Sequence, residues 1–275
     1  MNFYKVEKGS QSLANKIVNL HSNRSFAGVV AGNNVGDIWV NDLTSPTFAI
    51  VWSEYLGGFQ FMGKSFENIN TVGLCDFVDS SILYFLKSKG LDFFEFSCDS
   101  EDWLPFVLNS LSNRLVKSEE QYVYYLCKGF NYDSNIMLPE GYRNIEVDTD
   151  FINNGSHNIR NIEVLLNEID KSWGSTSMFL QFAKGFISVY NDEICSFALT
   201  HFRYIDTYSI GVETFTPHKQ KGLSSSLVDL LIKHILGQNG SVWWDCMESN
   251  IASQKTAQKV GLTLDHKYQI CWFNF

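Results

Sequence analysis

Residues 210–236 read Ile-Gly-Val-Glu-Thr-Phe-Thr-Pro-His-Lys-Gln-Lys-Gly-Leu-Ser-Ser-Ser-Leu-Val-Asp-Leu-Leu-Ile-Lys-His-Ile-Leu. An extended segment ends in a short basic turn, Lys219-Gln220-Lys221-Gly222, which opens directly into a helix. That helix carries Leu223, Leu227, Leu230, Leu231 and Ile235 on one face. A strand, a basic glycine turn and a helix start together form an anion site. The first N–H groups of the helix have no internal partner, and the helix dipole adds partial positive charge there. Gly222 allows close backbone approach, and Lys219 and Lys221 supply full charges. A pyrophosphate suits this geometry.

A second stretch follows at 242–262: Val-Trp-Trp-Asp-Cys-Met-Glu-Ser-Asn-Ile-Ala-Ser-Gln-Lys-Thr-Ala-Gln-Lys-Val-Gly-Leu. Ser249 or Asn250 reads as a helix N-cap and Gly261 as the glycine that ends the helix. The two stretches together resemble the GNAT family of acyl-CoA-dependent N-acyltransferases. That family has Arg/Gln-x-x-Gly-x-Gly/Ala after its fourth strand, matched here by Lys219, Gly222 and Ser224. After its fifth strand it has Asn-x-x-Ala/Ser and then Lys-x-Gly-Phe, matched by Asn250, Ser253, Lys259, Gly261 and Leu262. Lys for Arg/Gln and Ser for Gly/Ala are departures from the pattern.

The 275 residues allow one large or two ordinary domains, and 45% hydrophobic content is ample for packed cores. No apolar run approaches the ~20 residues of a membrane span. The opening residues, Met1 to Lys8, lack an apolar signal-peptide core. Cys75, Cys98, Cys127, Cys195, Cys246 and Cys271 form no Cys-x-x-Cys pair, so neither zinc nor a redox motif is indicated. They read as small hydrophobes in a reducing cytoplasm. A net charge of −9 disfavours nucleic acid and anionic membranes and favours a cationic partner; solubility alone also explains it.

The polar segment Asn131–Tyr142 marks a boundary. It gives an N-terminal domain over 1–130 and a C-terminal domain over 138–275. The second domain reads as strand 143–147, helix 159–169, strands 185–190, 194–202 and 208–214, the glycine-turn helix, strand 242–246, helix 250–260, and strands near 262–267 and 269–275. In the first, strands are expected at 36–41, 47–53, 58–62 and 93–97, helices near 13–20, 80–89 and 102–111, and a closing hairpin at 115–117 and 121–127. The order parallels the second half. The resemblance implies an α+β (mixed α/β) fold with two GNAT-like domains, each a mixed, mostly antiparallel sheet flanked by helices, the first degenerate. The place for a phosphate turn in the first half, Gly63-Lys64-Ser65-Phe66-Glu67, lacks the glycine pattern. Ser45-Pro46-Thr47 and Val51-Trp52-Ser53-Glu54-Tyr55 resemble a small bacterial GNAT subfamily with such a half.

The resemblance implies acetyl-CoA as cosubstrate, no metal, and direct attack of an amine on the thioester. Lys219, Gln220, Lys221, Gly222, Leu223 and Ser224 would hold the diphosphate, with Asn250 and Ser253 near the pantetheine. Backbone N–H groups of Val212 to Thr214 would polarise the carbonyl. Glu213, in an apolar run near the expected thioester, is the first candidate base; it reads equally well as an ion-paired strand carboxylate. Asp245 is the second, and also reads as a turn cap. His201 reads as a satisfied strand histidine and His218 as a neighbour of the cofactor. The family often places a tyrosine acid where this chain has Ala257, leaving Ser253, Tyr208 or Tyr268 as substitutes. Trp243 and Trp244 read as core, and Trp173, in a polar loop, as an acceptor-site candidate.

Three functions compete. One is acetyl transfer to a small, cationic primary amine. Another is a CoA-binding sensor without turnover, and a third is an aminoacyl-tRNA-dependent transferase, which the acidic balance opposes. Either a monomer or a homodimer is compatible with the sequence.

Overall fold

The structure, a computed structural model, describes residues 3–63, 70–155 and 158–275. Two compact units divide the chain: unit 1 is Met1–Gln121 with Tyr268–Phe275, and unit 2 is Tyr122–Lys267.

Unit 1 begins with β1 (Tyr4–Lys5), a 3-10 turn over Gln11–Lys16 and α1 (Arg24–Val30). Then come β2 (Gly36–Val40), β3 (Phe48–Ser53) and β4 (Gly58–Gly63). A helix follows as α2 (Thr71–Phe77), a π-helical turn (Val78–Ile82) and α3 (Leu83–Ser88), and the unit continues with β5 (Phe93–Cys98) and α4 (Trp103–Ser110). Two caps set helices that hydrophobic spacing does not reveal. Asn23 accepts from Ser25 N at the start of α1, and Asn70 accepts from Gly73 N at 2.6 Å, starting the helix well before residue 80. Of the turn Gly63–Glu67, residues 64–67 lie outside the described residues.

β6 (Lys117–Leu126) is one strand, not a hairpin: the stretch 118–120 between the two expected strands holds no glycine, proline, asparagine or aspartate. Unit 2 continues with β7 (Arg143–Glu146), α5 (Ile162–Trp173), α6 (Thr176–Phe182), β8 (Gly185–Tyr190), β9 (Glu193–Tyr204), β10 (Thr207–Thr214), α7 (Leu223–Gly237), β11 (Ser241–Met247) and α8 (Ile251–Lys259). The chain ends in β12 (Thr263–Asn274), again one strand where two were expected.

Each unit holds a mixed, mostly antiparallel sheet flanked by helices. In unit 1, β1, β2, β3 and β4 pair antiparallel in that order, β4 pairs parallel with β5, and β5 pairs antiparallel with the end of β12. In unit 2, β7, β8, β9 and β10 pair antiparallel and β10 pairs parallel with β11.

The units depart from the expected boundaries at 130 and 138. Tyr268–Phe275 belongs to unit 1 because Ile270–Asn274 pairs with Phe93–Ser97. The expected linker is tied down within unit 2: Tyr132 donates to Asp229 Oδ1 at 2.9 Å and Lys233 Nζ donates to Ser134 O at 2.6 Å, both anchoring it on α7. Two apolar clusters stabilise unit 2. On one, Leu227, Val228, Leu231, Ile232 and Ile235 of α7 pack with Trp244, Ala257 and Leu262. Burying each such aliphatic side chain contributes about 1.5–3 kcal/mol, so the glycine turn is held by a firmly docked helix.

Candidate functional site

β10 and β11 pair at only three positions, Thr207↔Ser241, Tyr208↔Val242 and Ser209↔Trp243. β10 stays paired with β9 as far as Thr214↔Ser196. The two parallel strands therefore part after Ser209, where a register shift between Ser209 and Ile210 also falls. Its extra residue is His201 on β9, since Ser209 pairs with Phe202 and Ile210 with Thr200, and a bulge bends and twists the strand that carries it. Phe215 N donates to Cys195 O at 2.9 Å, and Glu213 O accepts from Ser196 Oγ at 2.7 Å. Both bonds lie on the β9 side. By the two-residue alternation of an antiparallel ladder, the N–H and C=O groups of Val212 and Thr214 face the opening.

The opening leads to the start of α7. Thr214 Oγ1 lies 2.7 Å from both Ser196 Oγ and Ser224 Oγ, pinning the strand end to the first helical turn. Gln220 (φ 63°) and Gly222 (φ 85°) both lie in the left-handed region. The helix start has no side-chain cap, so the N–H groups of Leu223, Ser224 and Ser225 have no intrahelical acceptor. Leu223 buries its side chain while Lys219, Gln220 and Lys221 are exposed. Lys221 Nζ donates to Tyr142 Oη at 2.9 Å, and that hydroxyl also lies 2.8 Å from Nδ1 of the buried His218. A third cation arrives from α8: Lys259 Nζ would be 3.9 Å from a Cβ placed on Gly222. The sequence showed Lys259 only as part of a helix-ending motif, because nothing in spacing says which way its side chain runs.

At the start of α8, Asn250 caps the helix by accepting from Ser253 N at 3.1 Å. Ser253 Oγ accepts from Trp244 Nε1 at 2.9 Å. Burial pushes the nearby Cys246 thiol pKa up, while hydrogen bonds from Ser253 and Trp244 oppose that rise. Ala257 is fully buried against the sheet. The other candidate donors lie elsewhere. Tyr268 belongs to unit 1, where its hydroxyl accepts from Asn23 Nδ2 at 2.8 Å. Tyr208 lies against Gly240 at the paired end of β10.

Glu213 and Asp245 share one sheet face. Parallel partners point the same way, so the odd positions following Ser209 and Trp243 lie together, opposite the α7 side. Glu213 is exposed and Asp245 half-buried. The apolar setting expected for Glu213 is therefore absent, because its neighbours in sequence alternate to the other face. His201 is buried, as expected for a strand histidine. Its Nδ1 lies 3.0 Å from Ser172 Oγ, and its ring covers Gly211, where a Cβ would come within 2.3 Å. Burial pushes the His201 pKa down to about 3, so the ring is neutral at physiological pH. Trp173 does not line an acceptor loop. It ends α5, is buried, and donates its indole N–H to Thr200 O at 2.9 Å. Trp243 and Trp244 are both buried, as expected.

Among the described residues, no group of three or more His, Cys, Asp or Glu could hold a metal ion. No helix among them is long and apolar enough to cross a membrane.

A strand pair that splits beside a basic, uncapped glycine turn is the arrangement that the resemblance to acyl-CoA-dependent transferases implies. The family model for GNAT acetyltransferase matches residues 15–271, and the chain belongs to that family. Solved structures share the fold. A GCN5-related N-acetyltransferase-like protein from Streptococcus suis 89/1591 is 17% identical, with a TM-score of 0.66 over 97% of this chain and 99% of its own. A tandem GNAT protein from the clavulanic acid biosynthesis pathway is 9% identical, with a TM-score of 0.59 over 99% of this chain and 98% of its own. A GCN5-related N-acetyltransferase from Sphaerobacter thermophilus is 11% identical, with a TM-score of 0.59 over 99% and 95%. Among curated proteins, nothing matches this chain.

Proposed function

We propose that unit 2 uses acetyl-CoA to acetylate a primary amine on a small cationic acceptor. The observation that carries this reading is the parting of β10 from β11 after Ser209, together with an uncapped start of α7 that lies beside Thr214. Backbone groups of Val212 and Thr214 face the opening, and Lys219, Lys221 and Lys259 lie at the helix start. The groups fit the cofactor: polarised N–H groups and a glycine for a diphosphate, and a strand edge for an extended amide-bearing arm. When bound, acetyl-CoA supplies an acyl group activated as a thioester.

The chain's own residues then have distinct tasks. Lys219, Gln220, Lys221, Gly222, Leu223 and Ser224 hold the anionic end. Val212 and Thr214 bind along the strand edge and present N–H groups to the developing oxyanion. Asn250 and Ser253 border the other side. Glu213 and Asp245 present carboxylates on one face, suited to attract a cationic amine and to take its proton directly or through water. A net charge of −9 supports a cationic acceptor and weighs against nucleic acid or anionic membranes as partners. The six free cysteines fit a reducing cytoplasm. We take the working unit to be a monomer or homodimer.

The runner-up is a CoA-binding module without turnover, favoured by Ala257 at the family's acid position. Calorimetry with CoA on the Lys219→Glu/Gly222→Asp double variant tests the site, and unchanged affinity would reject it. A primary-amine screen with detection of released thiol separates enzyme from sensor. If an acceptor is found, Glu213→Gln and Asp245→Asn show which carboxylate shapes the pH–rate profile.

A further inference from the structure

The end of α7 away from the glycine turn borders a second polar recess, wholly within unit 2. From Leu223 to His234 the helix advances by eleven residues, roughly 16 Å at helical rise. A cavity of about 150 Å³ opens there between the last turn of α7, the link from α6 to β8, and the neighbouring ends of β9 and β10. Lys184, Thr200, Arg203, Tyr208, His234 and Gln238 all bring hydrogen-bond donors to it. Among the described residues that line it, none is a carboxylate. In a chain of net charge −9, that corner reverses the prevailing sign.

Thr200 is the buried member of this lining. It is 0% exposed, and its Oγ1 has no hydrogen-bond partner. By strand alternation its side chain points the same way as that of Ala198, toward α7. Its backbone is satisfied: Thr200 N donates to Lys184 O and Thr200 O accepts from Trp173 Nε1, both at 2.9 Å. The hydroxyl alone is left over, and a buried polar group without a partner is costly and rare. Around it, the Lys184 ammonium pairs with Glu146, one partner for three N–H donors. Arg203 Nε donates to Ile205 O at 3.2 Å, and the guanidinium lies 5.2 Å from the centre of the Tyr208 ring. Burial, and then the Lys184 ammonium, hold the His234 pKa below its ordinary 6.5, while Glu146 works against them. The carbonyls ending α7 would repel an anion, but they are engaged. Gln238 N donates to His234 O and Ile235 O, and Asn239 N to Leu236 O.

The geometry points to a binding site for a small tetrahedral oxyanion, phosphate or sulfate, seated on the Thr200 hydroxyl among Lys184, Arg203 and His234. The hydroxyl donates to one oxygen and so gains the partner it lacks. The ammonium and the guanidinium offset the charge through charge-assisted hydrogen bonds. Donors here come from β9, from α7 and from the link before β8, so they approach from several directions. That suits four oxygens in a tetrahedron better than the two coplanar oxygens of a carboxylate. A water takes about 30 Å³ of liquid volume, so the cavity has room for one such ion with some of its hydration. This site shares no residue with the coenzyme A site proposed above and does not rest on it.

The test uses the Lys219→Glu/Gly222→Asp double variant as its background, because the start of α7 would also draw phosphate. Scanning calorimetry compares sodium phosphate, sulfate, acetate and chloride at equal ionic strength. At about ten times its Kd, phosphate should raise the melting temperature by about 3–5 °C over chloride, with sulfate close behind and acetate well below. Thr200→Val keeps the shape of the side chain and removes the hydroxyl. In chloride it should melt at or above its parent, because a buried group without a partner is gone. In phosphate it should lose most of the rise, as titration calorimetry finds Kd weakened by about tenfold or more. Thr200→Ser should keep the response, and Arg203→Gln should lose most of it. In the unaltered protein, Thr200→Val should leave the affinity for coenzyme A within twofold, as separate sites require. A phosphate response no larger than that of chloride, or one that acetate equals, would overturn the inference. So would a response that Thr200→Val and Arg203→Gln both leave intact.

Discussion

Gly222→Ala separates the fold from the site. At φ 85° an alanine pays the left-handed penalty of about 1–2 kcal/mol, lowering the melting temperature by about 3–6 °C. The fold should tolerate the change, because the added methyl meets nothing nearer than Lys259 Nζ at 3.9 Å. That same geometry predicts a large effect on binding. The methyl would stand near the Lys259 ammonium at the helix start, where the proposed function puts a diphosphate oxygen. Losing one hydrogen bond to a charged oxygen costs roughly 1.5–3 kcal/mol, or about 10- to 100-fold in Kd. Gly261→Ala is the matched control. It has φ 79° and a nearest neighbour at 3.7 Å, Tyr132 Cε2, so it carries similar strain away from the helix mouth. Scanning calorimetry should find similar losses of melting temperature in both variants. Titration with coenzyme A should find weakened binding only in Gly222→Ala. A Kd within twofold of the parent, alongside the expected loss in melting temperature, would refute this placement of the diphosphate.

Lys259→Ala should weaken coenzyme A about fivefold in low salt and less in high salt, as for any exposed ion pair; titration at two ionic strengths checks it. His201 should make the protein less stable in acid. The unfolded imidazole binds a proton below its ordinary 6.5, whereas the buried one stays neutral to about 3, so stability falls as pH drops through that window. Between pH 8 and 5 the loss is about 2 kcal/mol, and urea unfolding should show that His201→Gln lacks this component. Glu95 and Asp99, raised by burial to about 7 and about 6, titrate in the opposite sense but cancel in the comparison. Ala257→Tyr should not restore an acid: the site is fully buried, and overpacking should cost about 1–3 kcal/mol or more, read by the same unfolding curves.

The sequence made some of this architecture legible and hid the rest for physical reasons. The α7 stripe and its glycine turn stand out because one residue type, spaced every three or four positions, reports directly on a buried face. The helices beginning at Arg24, Thr71 and Thr176 escape that signal, because their starts depend on the caps Asn23, Asn70 and Ser175. Trp173 was misplaced because a polar neighbourhood in sequence does not forbid burial of one ring. The helix simply runs on to Trp173, ends at Gly174 (φ 75°), and turns the indole inward. Glu213 misled for a related reason. Its apolar sequence neighbours lie on the opposite face of the strand. Lys259 and the Trp244–Ser253 pair depend on contacts nine or more residues apart, which no local pattern encodes.

Unit 1 repeats the strand pattern of unit 2 but not its opening. β4 and β5 also pair in parallel at three positions, Phe59↔Phe96, Gln60↔Ser97 and Phe61↔Cys98. Just beyond them, Asp99 N donates to Phe61 O at 3.0 Å and Asp99 Oδ1 accepts from Gly63 N at 3.3 Å. Asp99 Oδ2 accepts from Asn19 Nδ2 at 2.6 Å and Ser22 Oγ at 3.1 Å. Gln60 is held between Asn23 N and Ser97 Oγ. The groups that would greet a pantetheine amide are thus paired within the chain, and an incoming ligand would have to break a buried carboxylate network to reach them. Breaking such a network leaves charged and polar groups unsatisfied, at about 1–3 kcal/mol for each neutral group and more for the carboxylate. Among the described residues of unit 2 no comparable carboxylate network covers Val212 and Thr214, and the start of α7 carries no side-chain cap. The same strand geometry therefore gives a seam closed by polar side chains in one half of the chain and the proposed ligand site in the other, and the difference lies in the polar side chains that each half places where its parallel strands part.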